Sequence, residues 1–316
     1  MNTLLAGWPR RIFGLRVVLL LFAVTAGAGL AIALGLSGAG AKSYSAYDDP
    51  QKPALSFLLS NDQYAEEFQG EFGLSDEEMQ KVLAVAHKES SALDKAYDDS
   101  DRIIEANEDA SELKIREKIA ASDFDEKLKK AVAGTKSDVG KLLPEDRTAD
   151  LGPWVDEQWR AEGAEYEAAS EASYSATAAG YKCRVWMSYY RGLTRYEVAL
   201  PHKRVKFSGG KKVRITDIRK GTSARAPVRE TGPWNIRDNY WRGSRYRSMW
   251  KDLPRCVPEA QAAFFNNYNR GKDQFGREVG NPAGIDITPA VARRMDIWPK
   301  MQRRGLIKVR VKYLWG

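Results

Sequence analysis

The chain has 316 residues, of which 43% are hydrophobic and 29% are charged, and its net charge is +8. This composition excludes a chain that is disordered throughout, and the length predicts about two domains. Residues 42–180 hold 16 basic and 32 acidic residues, a balance of −16, whereas residues 181–316 hold 31 basic and 10 acidic residues, a balance of +21. This break predicts a domain boundary near residue 181 and an anionic partner for the basic part.

The N-terminus has the pattern of an export signal. Three arginines precede an uncharged apolar segment, residues 17–36, and Ala39-Gly40-Ala41 then offers small residues for cleavage. Basic residues are retained on the cytoplasmic side, so we expect the rest of the chain to lie outside the cytoplasm, anchored or secreted. An apolar segment of this length also suffices to span a bilayer. Residues 1–41 are therefore predicted to be a signal peptide or a membrane anchor, with a buried core helix as the alternative.

The next part of the chain is predicted to be a short tether, residues 42–56, followed by an acidic helical region and linker, residues 57–180. Ser75 and Glu78 form a capping box, and apolar residues follow it at three- and four-residue spacing. Two further helices are predicted over 122–133 and 154–169, and the segment 167–180 is rich in Ala, Ser and Gly. The acidic faces indicate solvated helices, with a coiled-coil or partner-binding role as the alternative.

After residue 181 the hydrophobic period changes to two. Apolar and cationic residues alternate over 212–216 and 307–313, which predicts half-buried strands with one apolar and one cationic face. Short helices are predicted over 258–268 and after Thr288, a good N-cap that precedes a proline. Short strands with inserted helices favour a small closed barrel over residues 181–316, so the fold class is α+β.

The chain has two cysteines, Cys183 and Cys256, both in the basic part. In an oxidising compartment an isolated pair of this kind predicts a disulfide, with two unpaired structural thiols as the alternative.

Aromatic residues and arginines alternate between residues 234 and 250. Flat rings stack on the apolar faces of sugars and arginines bind anionic groups, so this loop predicts a glycan-binding surface. The alternative is that some of these rings cover the barrel core, and at least two of the three tryptophans are expected to be mostly buried. Single-stranded nucleic acid would suit the same composition but is not expected outside the cytoplasm. The residues concerned are Trp234, Arg237, Tyr240, Trp241, Arg242, Arg245, Tyr246, Arg247 and Trp250.

Three segments of the basic part, in this order, resemble the double-psi β-barrel of the rare lipoprotein A family, which is related to expansins and barwin. They are Ala199-Leu200-Pro201-His202 with the strand after it, Val228-Arg229-Glu230-Thr231-Gly232-Pro233-Trp234, and Gly284-Ile285-Asp286-Ile287-Thr288 with the closing strand. The resemblance implies a six-stranded double-psi barrel with inserted short helices. The sequence departs from the family in the segment before His202, where Glu197 is the only acid, and in an insertion over 242–280.

The family includes lytic transglycosylases that cut peptidoglycan and members that only bind sugar. The resemblance assigns Asp286 to the acid/base of the catalytic members, His202 to the motif histidine and Glu230 to a position where the family has Asp. A transglycosylase needs one acid that is still protonated near neutral pH, and Asp286, with Glu230 or Glu197 as helper, meets this minimum. Alternatively, Asp286 caps the following helix or pairs with an arginine. The basic surroundings would lower its pKa unless an apolar pocket opposes them.

The sequence leaves two roles open for His202: packing in the barrel, or a hydrogen bond to Asp286. A lone histidine without partner ligands is a poor metal site, and we expect neither a metal nor another cofactor.

Together these observations predict an extracytoplasmic cell-wall protein in which an acidic helical stalk holds a basic barrel. The barrel is expected to bind peptidoglycan-type glycan or an anionic wall polymer, and to cleave the glycan as a lytic transglycosylase if Asp286 is catalytic. A non-catalytic wall-binding module, and a structural or partner-binding protein acting through the helical region, are the alternatives. The opposite charges of the two parts also suggest that the helices fold back and mask the barrel.

Overall fold

A computed structural model describes residues 44–173, 182–190, 195–207 and 210–315. The predicted signal or anchor segment and the second half of the predicted linker, residues 174–180, lie outside these residues. Within the described ranges, no helix is both long and apolar enough to cross a membrane. The α-helices of the described ranges are α1 Ala54–Leu59, α2 Asp62–Glu71, α3 Asp76–Glu105, α4 Glu112–Ala120, α5 Phe124–Gly140, α6 Leu151–Ser173, α7 Lys203–Phe207, α8 Glu259–Asn266, α9 Pro289–Arg294 and α10 Trp298–Arg304.

The longest of these helices, α3, begins at the predicted capping box. The Ser75 side chain accepts a hydrogen bond from the Glu78 backbone N–H at 3.3 Å, and a Glu78 carboxylate oxygen accepts one from the Ser75 N–H at 2.8 Å. These two bonds satisfy backbone donors that a helix N-terminus otherwise leaves unpaired. The apolar stripe behind the box is buried, including Met79, Val82 and Leu93, so sequence pattern and packing agree along this helix.

Six strands close into a barrel in the order β1-β5-β2-β4-β3-β6. The β1–β5 and β2–β4 pairs are parallel, and the other four pairs are antiparallel. Alternate residues point inward and are buried, as Val213, Ile215, Val309 and Val311 show. The predicted strands over 212–216 and 307–313 are therefore confirmed. The strands are β1 Lys182–Tyr189, β2 Val198–Leu200, β3 Lys212–Asp217, β4 Ser223–Thr231, β5 Ala283–Ile287 and β6 Ile307–Tyr313.

The helices pack directly on the barrel domain. The Phe57 ring of α1 makes edge contacts with Trp186 of β1 and with Phe264 of α8, at centroid distances of 5.8 and 5.0 Å. Acidic residues of the helices also pair with basic residues of the barrel domain, as Glu112 does with Arg237 at 3.0 Å and Glu162 with Lys308 at 3.0 Å. Residues 44–316 consequently form one compact unit, and the acidic helices are not a stalk.

The predicted tether is wrong for the described residues 44–56. Lys52 is fully buried and pairs with Glu278, which is also buried, and Ala46 and Ala54 belong to the core. A buried charge needs a partner of opposite charge. The partner of Lys52 lies 226 residues away in the chain, so the local sequence does not predict this burial.

Two helix ends also differ from the prediction. α5 continues through the exposed Gly134 to Gly140, because Val132 and Val139 on either side are buried in the core. Glycine inside a helix costs about 1 kcal/mol relative to alanine, which this burial offsets. α6 begins at Leu151 and runs to Ser173, into the segment predicted to be a linker.

The helix that follows Thr288, with Pro289 in its first turn, is confirmed.

Candidate functional site

Four residues lie in register across four neighbouring strands of the barrel. Ser188 on β1 is opposite Asp286 on β5, Asp286 is opposite Ala199 on β2, and Ala199 is opposite Glu230 on β4. Residues in register point to the same side of a sheet. Their neighbours Val198, Leu200, Ile285 and Ile287 fill the barrel interior, so the row of four faces away from it.

Two residues of this row, Ser188 and Asp286, line a cleft of about 460 Å³ between the barrel and the helical region. Ser188, Tyr190, Trp234 and Asp286 line it from the barrel side. Tyr97 and Asp101 of α3 line the opposite side, together with other residues of α1 and α3. Both parts of the chain therefore form the cleft. The sequence of the barrel domain alone does not predict the side that α3 contributes.

Asp286 is half-buried at the wall of this cleft. The Ser188 hydroxyl donates a hydrogen bond to its carboxylate. Burial raises the pKa of Asp286 from 3.8 to about 7; the Ser188 hydrogen bond opposes this rise, and the negative charge of Asp101 adds to it. Burial disfavours the charged form of a carboxyl group, and here it outweighs the basic character of the domain. The carboxyl group is therefore substantially protonated at neutral pH.

Among the residues that the structure describes, Asp286 neither caps a helix nor pairs with an arginine. Thr288 is the N-cap of α9, and Ser188 is the hydrogen-bond partner of Asp286 among the described residues. Within the described ranges, the carboxyl group thus lines the cleft and forms no ion pair with a cation.

Tyr190 lies among three carboxyl groups. Its hydroxyl donates to Glu197 at 3.5 Å, and burial followed by the charges of Glu197, Asp286 and Glu230 raises its pKa. The phenol therefore stays protonated and can act only as a hydrogen-bond donor or acceptor in the cleft. Sequence reasoning missed this residue; the aromatic pair at the end of a strand was the available signal.

The helper role of Glu230 has little support in this geometry. Glu230 is one strand removed from Asp286, which sets their Cα atoms about 10 Å apart. Its carboxylate is paired with Lys206 at 2.7 Å. Glu197 is buried, and among the described residues one of its carboxylate oxygens has no hydrogen-bond partner. Of the two predicted helpers, only Glu230 has a cationic partner among the described residues, and Glu197 is linked to the cleft through the Tyr190 hydroxyl.

His202 contacts neither Asp286 nor the cleft lining within the described part of the chain. Its Nε2 lies 2.9 Å from the Ser248 hydroxyl, and its ring makes an edge contact with Trp241 at 6.2 Å. Burial, followed by the charges of nearby arginines and Lys211, lowers the pKa of His202 from 6.5 to about 4. The structure therefore favours packing in the barrel over a hydrogen bond to the reacting acid.

Two of the predicted sugar-stacking residues are in the barrel core. Tyr240 is fully buried and donates a hydrogen bond to the Gly284 carbonyl at 2.9 Å. Trp241 is 2% exposed and stacks on Tyr313 with centroids 5.1 Å apart. Neither ring is accessible to a ligand, so the prediction that these two residues stack on sugar is wrong. Both rings belong to the hydrophobic core of the barrel. Of the three tryptophans of the loop, Trp241 is buried, and Trp234 and Trp250 are half-buried.

The loop arginines divide into structural and exposed ones. Arg247 is buried against Asp238 and three backbone carbonyls, so it holds the insertion in place. Arg237 pairs with Glu112 of α4. Arg242 and Arg245 are exposed, and the Arg245 guanidinium lies 4.9 Å from the centroid of the exposed Tyr246 ring. These arginines do not converge on the cleft.

Trp234 is the one predicted stacking residue that lines the cleft. It follows β4 with a positive φ of 62° and is half-buried. Its ring meets the edge of Tyr97 at 4.9 Å, and the Arg277 guanidinium lies 5.7 Å from its centroid. Arg277 in turn pairs with Asp273 and with Asp101 of α3. The position of Trp234 is therefore fixed by both sides of the cleft.

The predicted disulfide between Cys183 and Cys256 is confirmed. It joins the start of β1 to the loop before α8. Among the residues that the structure describes, no group of His, Cys, Asp or Glu could hold a metal ion.

A family model described as a domain of unknown function, DUF8814, matches residues 190–309. This span includes Tyr190, Glu197, His202, Glu230 and Asp286, so the chain is similar to that domain over the barrel side of the site. No curated protein and no solved structure matches the chain. The resemblance to the rare lipoprotein A family stays a prediction.

Proposed function

We propose that this chain is an extracytoplasmic cell-wall protein that binds peptidoglycan-type glycan in the cleft and cleaves it as a lytic transglycosylase, with Asp286 as acid and base. One observation carries the proposal: a half-buried carboxyl group whose pKa is raised to about 7 faces a cleft of about 460 Å³. Groups with strongly shifted pKa values in clefts are candidates for catalysis. The double-psi topology, supported by the two parallel strand pairs, is part of the same proposal.

The reaction begins with proton transfer from the neutral Asp286 carboxyl group to the glycosidic oxygen, whose bond to the anomeric carbon breaks. The hydroxyl on C6 of the same sugar then attacks the anomeric carbon and forms the 1,6-anhydro ring. Its proton passes to the Asp286 carboxylate, which restores the acid. No second carboxylate and no water are consumed, which agrees with a site in which Glu230 is already paired with Lys206.

The other residues of the cleft supply position and polarity. Ser188 holds the Asp286 carboxyl group by a hydrogen bond and favours the carboxylate when the proton has been transferred. Trp234, half-buried at the cleft wall, offers an aromatic surface of the kind that contacts sugar rings. The enclosing helix α3 reduces the water around Asp286, which strengthens these interactions.

Digestion of purified sacculi tests the proposal. Wild-type protein is expected to release muropeptides that end in a 1,6-anhydro ring, and Asp286→Asn is expected to release none while keeping its fold, because Asn still accepts the Ser188 hydrogen bond. Asp296→Asn is the matched control, since the Asp296 side chain is 85% exposed and, within the described ranges, forms its ion pair with Lys220 on the surface. Release by Asp286→Asn at the wild-type rate, or products with ordinary reducing ends, would contradict the proposal.

A non-catalytic glycan-binding module is the second candidate, favoured by the half-buried Trp234 ring at the cleft wall, a surface that can bind a sugar ring without any acid. Co-sedimentation with sacculi without product release would select it. In that case Trp234→Ala is expected to weaken sedimentation, whereas Tyr246→Ala, on the exposed loop, is expected to leave it unchanged. Neither release nor sedimentation would favour a partner-binding role of the helical region.

A further inference from the structure

The half of the barrel wall that does not carry Asp286 is cationic. Lys182 on β1 is opposite Lys312 on β6, Lys312 is opposite Arg214 on β3, and Arg214 is opposite Arg225 on β4. Four positive charges therefore lie in one row across four adjacent strands, over a distance of about 14 Å.

Further cations extend this row along the strands. Arg184 is opposite Arg310 in the β1–β6 pair, and Lys212 precedes Arg214 on the same side of β3. Six of the seven side chains are exposed and Lys312 is half-buried. We call this set the cationic face; it consists of Lys182, Arg184, Lys212, Arg214, Arg225, Arg310 and Lys312.

The cationic face has no internal compensation. No ion pair joins any of its seven residues to an acid within the described ranges, whereas Arg237, Arg277, Arg304 and Lys308 elsewhere in the barrel domain pair with acids of the helices. Like charges directly opposite each other in a sheet are destabilising. The folded protein therefore keeps several unfavourable pairs together on a surface that the acidic helices leave uncovered.

We propose that the cationic face binds a linear polyanion, a flexible chain with regularly spaced phosphate or carboxylate groups. The row of four cations matches a chain that crosses the strands, since each step from strand to strand presents a new positive charge. The proposal is independent of Asp286 and of glycan cleavage, because β6 and β3 carry the centre of the cationic face and carry no residue of the Asp286 row.

Two other anionic surfaces fit less well. Bases of single-stranded nucleic acid need aromatic rings to stack on, but the outward positions that flank these cations on β3, β4 and β6 are Thr216, Ser223, Pro227 and Lys308. The flanking outward residue on β1 is Trp186, and its ring is buried against Phe57 of α1. A planar membrane surface touches a closed, convex barrel along one narrow strip, whereas a flexible chain can follow the whole row.

The test is a salt titration of binding to inorganic polyphosphate and to poly-glutamate, which distinguishes phosphate from carboxylate as the preferred group. With four contacts, the logarithm of the affinity is expected to fall with the logarithm of salt concentration with a slope of about −3. The double variant Arg214→Glu/Lys312→Glu is expected to bind the preferred polymer at least tenfold more weakly at low salt. The control Lys251→Glu/Arg294→Glu makes the same change in net charge at exposed positions away from the cationic face and is expected to lose less than threefold.

Each result bears on the proposal directly. Equal losses in the two double variants, with thermal unfolding midpoints unchanged, would show that only net charge matters and would overturn it. No binding of either polymer by the wild-type chain would overturn it too, as would tighter binding to oligo(dT) or to vesicles containing anionic lipid than to both polymers. None of these outcomes depends on whether sacculi are digested.

Discussion

Ser188 donates its hydroxyl hydrogen to the Asp286 carboxylate across the parallel pair of β1 and β5. This bond is the polar contact by which the barrel positions Asp286 at the cleft wall. It favours the charged form of Asp286, whereas burial favours the neutral form, and burial has the larger effect. The proton affinity of the site is thus set by two opposing effects that can be changed one at a time.

Removing the hydroxyl is expected to raise the pKa of Asp286 further. In Ser188→Ala the carboxylate loses a hydrogen bond that stabilises its charged form, and the titration midpoint is expected to rise by about one pH unit. Carbon-13 NMR of the carboxyl resonance measures this midpoint without requiring activity. Ser223→Ala, an exposed position on β4, is the control and should leave it in place; a lower midpoint in Ser188→Ala would contradict the assignment of this bond.

Asp286 is expected to reduce stability at neutral and alkaline pH. Its pKa is raised on folding from 3.8 to about 7, so its favourable contribution is complete below pH 4 and is lost as pH rises through 7. Asp286→Asn is never charged, and it is therefore expected to be more stable than wild type by about 2–4 kcal/mol at pH 8. Urea unfolding of both proteins at pH 8 and at pH 4 measures this difference in unfolding free energy. At pH 4 we expect the two proteins to be almost equally stable. Equal stability of wild type and variant at pH 8 would rule out a carboxyl group with a raised pKa.

His202 is expected to have the opposite effect in acid. Its pKa is lowered on folding from 6.5 to about 4, so the stability that it contributes is present above pH 6.5 and is lost as pH falls through 4. Between pH 6.5 and pH 4 the wild-type protein is therefore expected to lose about 2–3 kcal/mol of unfolding free energy through this histidine. His202→Gln is expected to avoid that loss. His87→Gln, an exposed residue of α3, is the control. If His202→Gln and His87→Gln lose stability in parallel, the histidine at 202 is not titrating as proposed.

The disulfide is expected to stabilise the barrel by restricting the unfolded chain. It closes a loop with a sequence separation of 73 residues, for which loop-closure entropy gives roughly 4 kcal/mol. The double variant Cys183→Ala/Cys256→Ala should therefore unfold at a lower urea concentration than the oxidised wild type. Wild-type protein under reducing conditions should behave like the variant; a change below about 1 kcal/mol in both would show that the bond contributes little.

The elements that could be predicted from the sequence are those whose determinants are local. The capping box of Ser75 and Glu78, the alternation on β3 and β6, and the Thr288-Pro289 helix start each depend on residues within a few positions of one another. Local patterns of this kind fix an element before any tertiary contact is known.

The features that could not be predicted depend on distant partners. The local sequence predicts a tether around Lys52, because the buried partner of Lys52, Glu278, lies 226 residues away and leaves no local signal. Composition predicts a sugar-binding surface that includes Tyr240 and Trp241, because it does not show which side of a loop faces the core, where both rings are buried. The alternative, that rings cover the barrel, was correct for these two residues. The cleft was not predicted because α3 supplies one of its sides.

Titration of the Asp286 carboxyl group is the most direct test of the account. In carbon-13 spectra of the full chain, one side-chain carboxyl resonance that is absent from Asp286→Asn is expected to titrate with a midpoint near 7. A midpoint at or below 4 would show that Asp286 is ionised at neutral pH like an ordinary surface aspartate. It could not then supply the proton on which cleavage of the glycosidic bond depends.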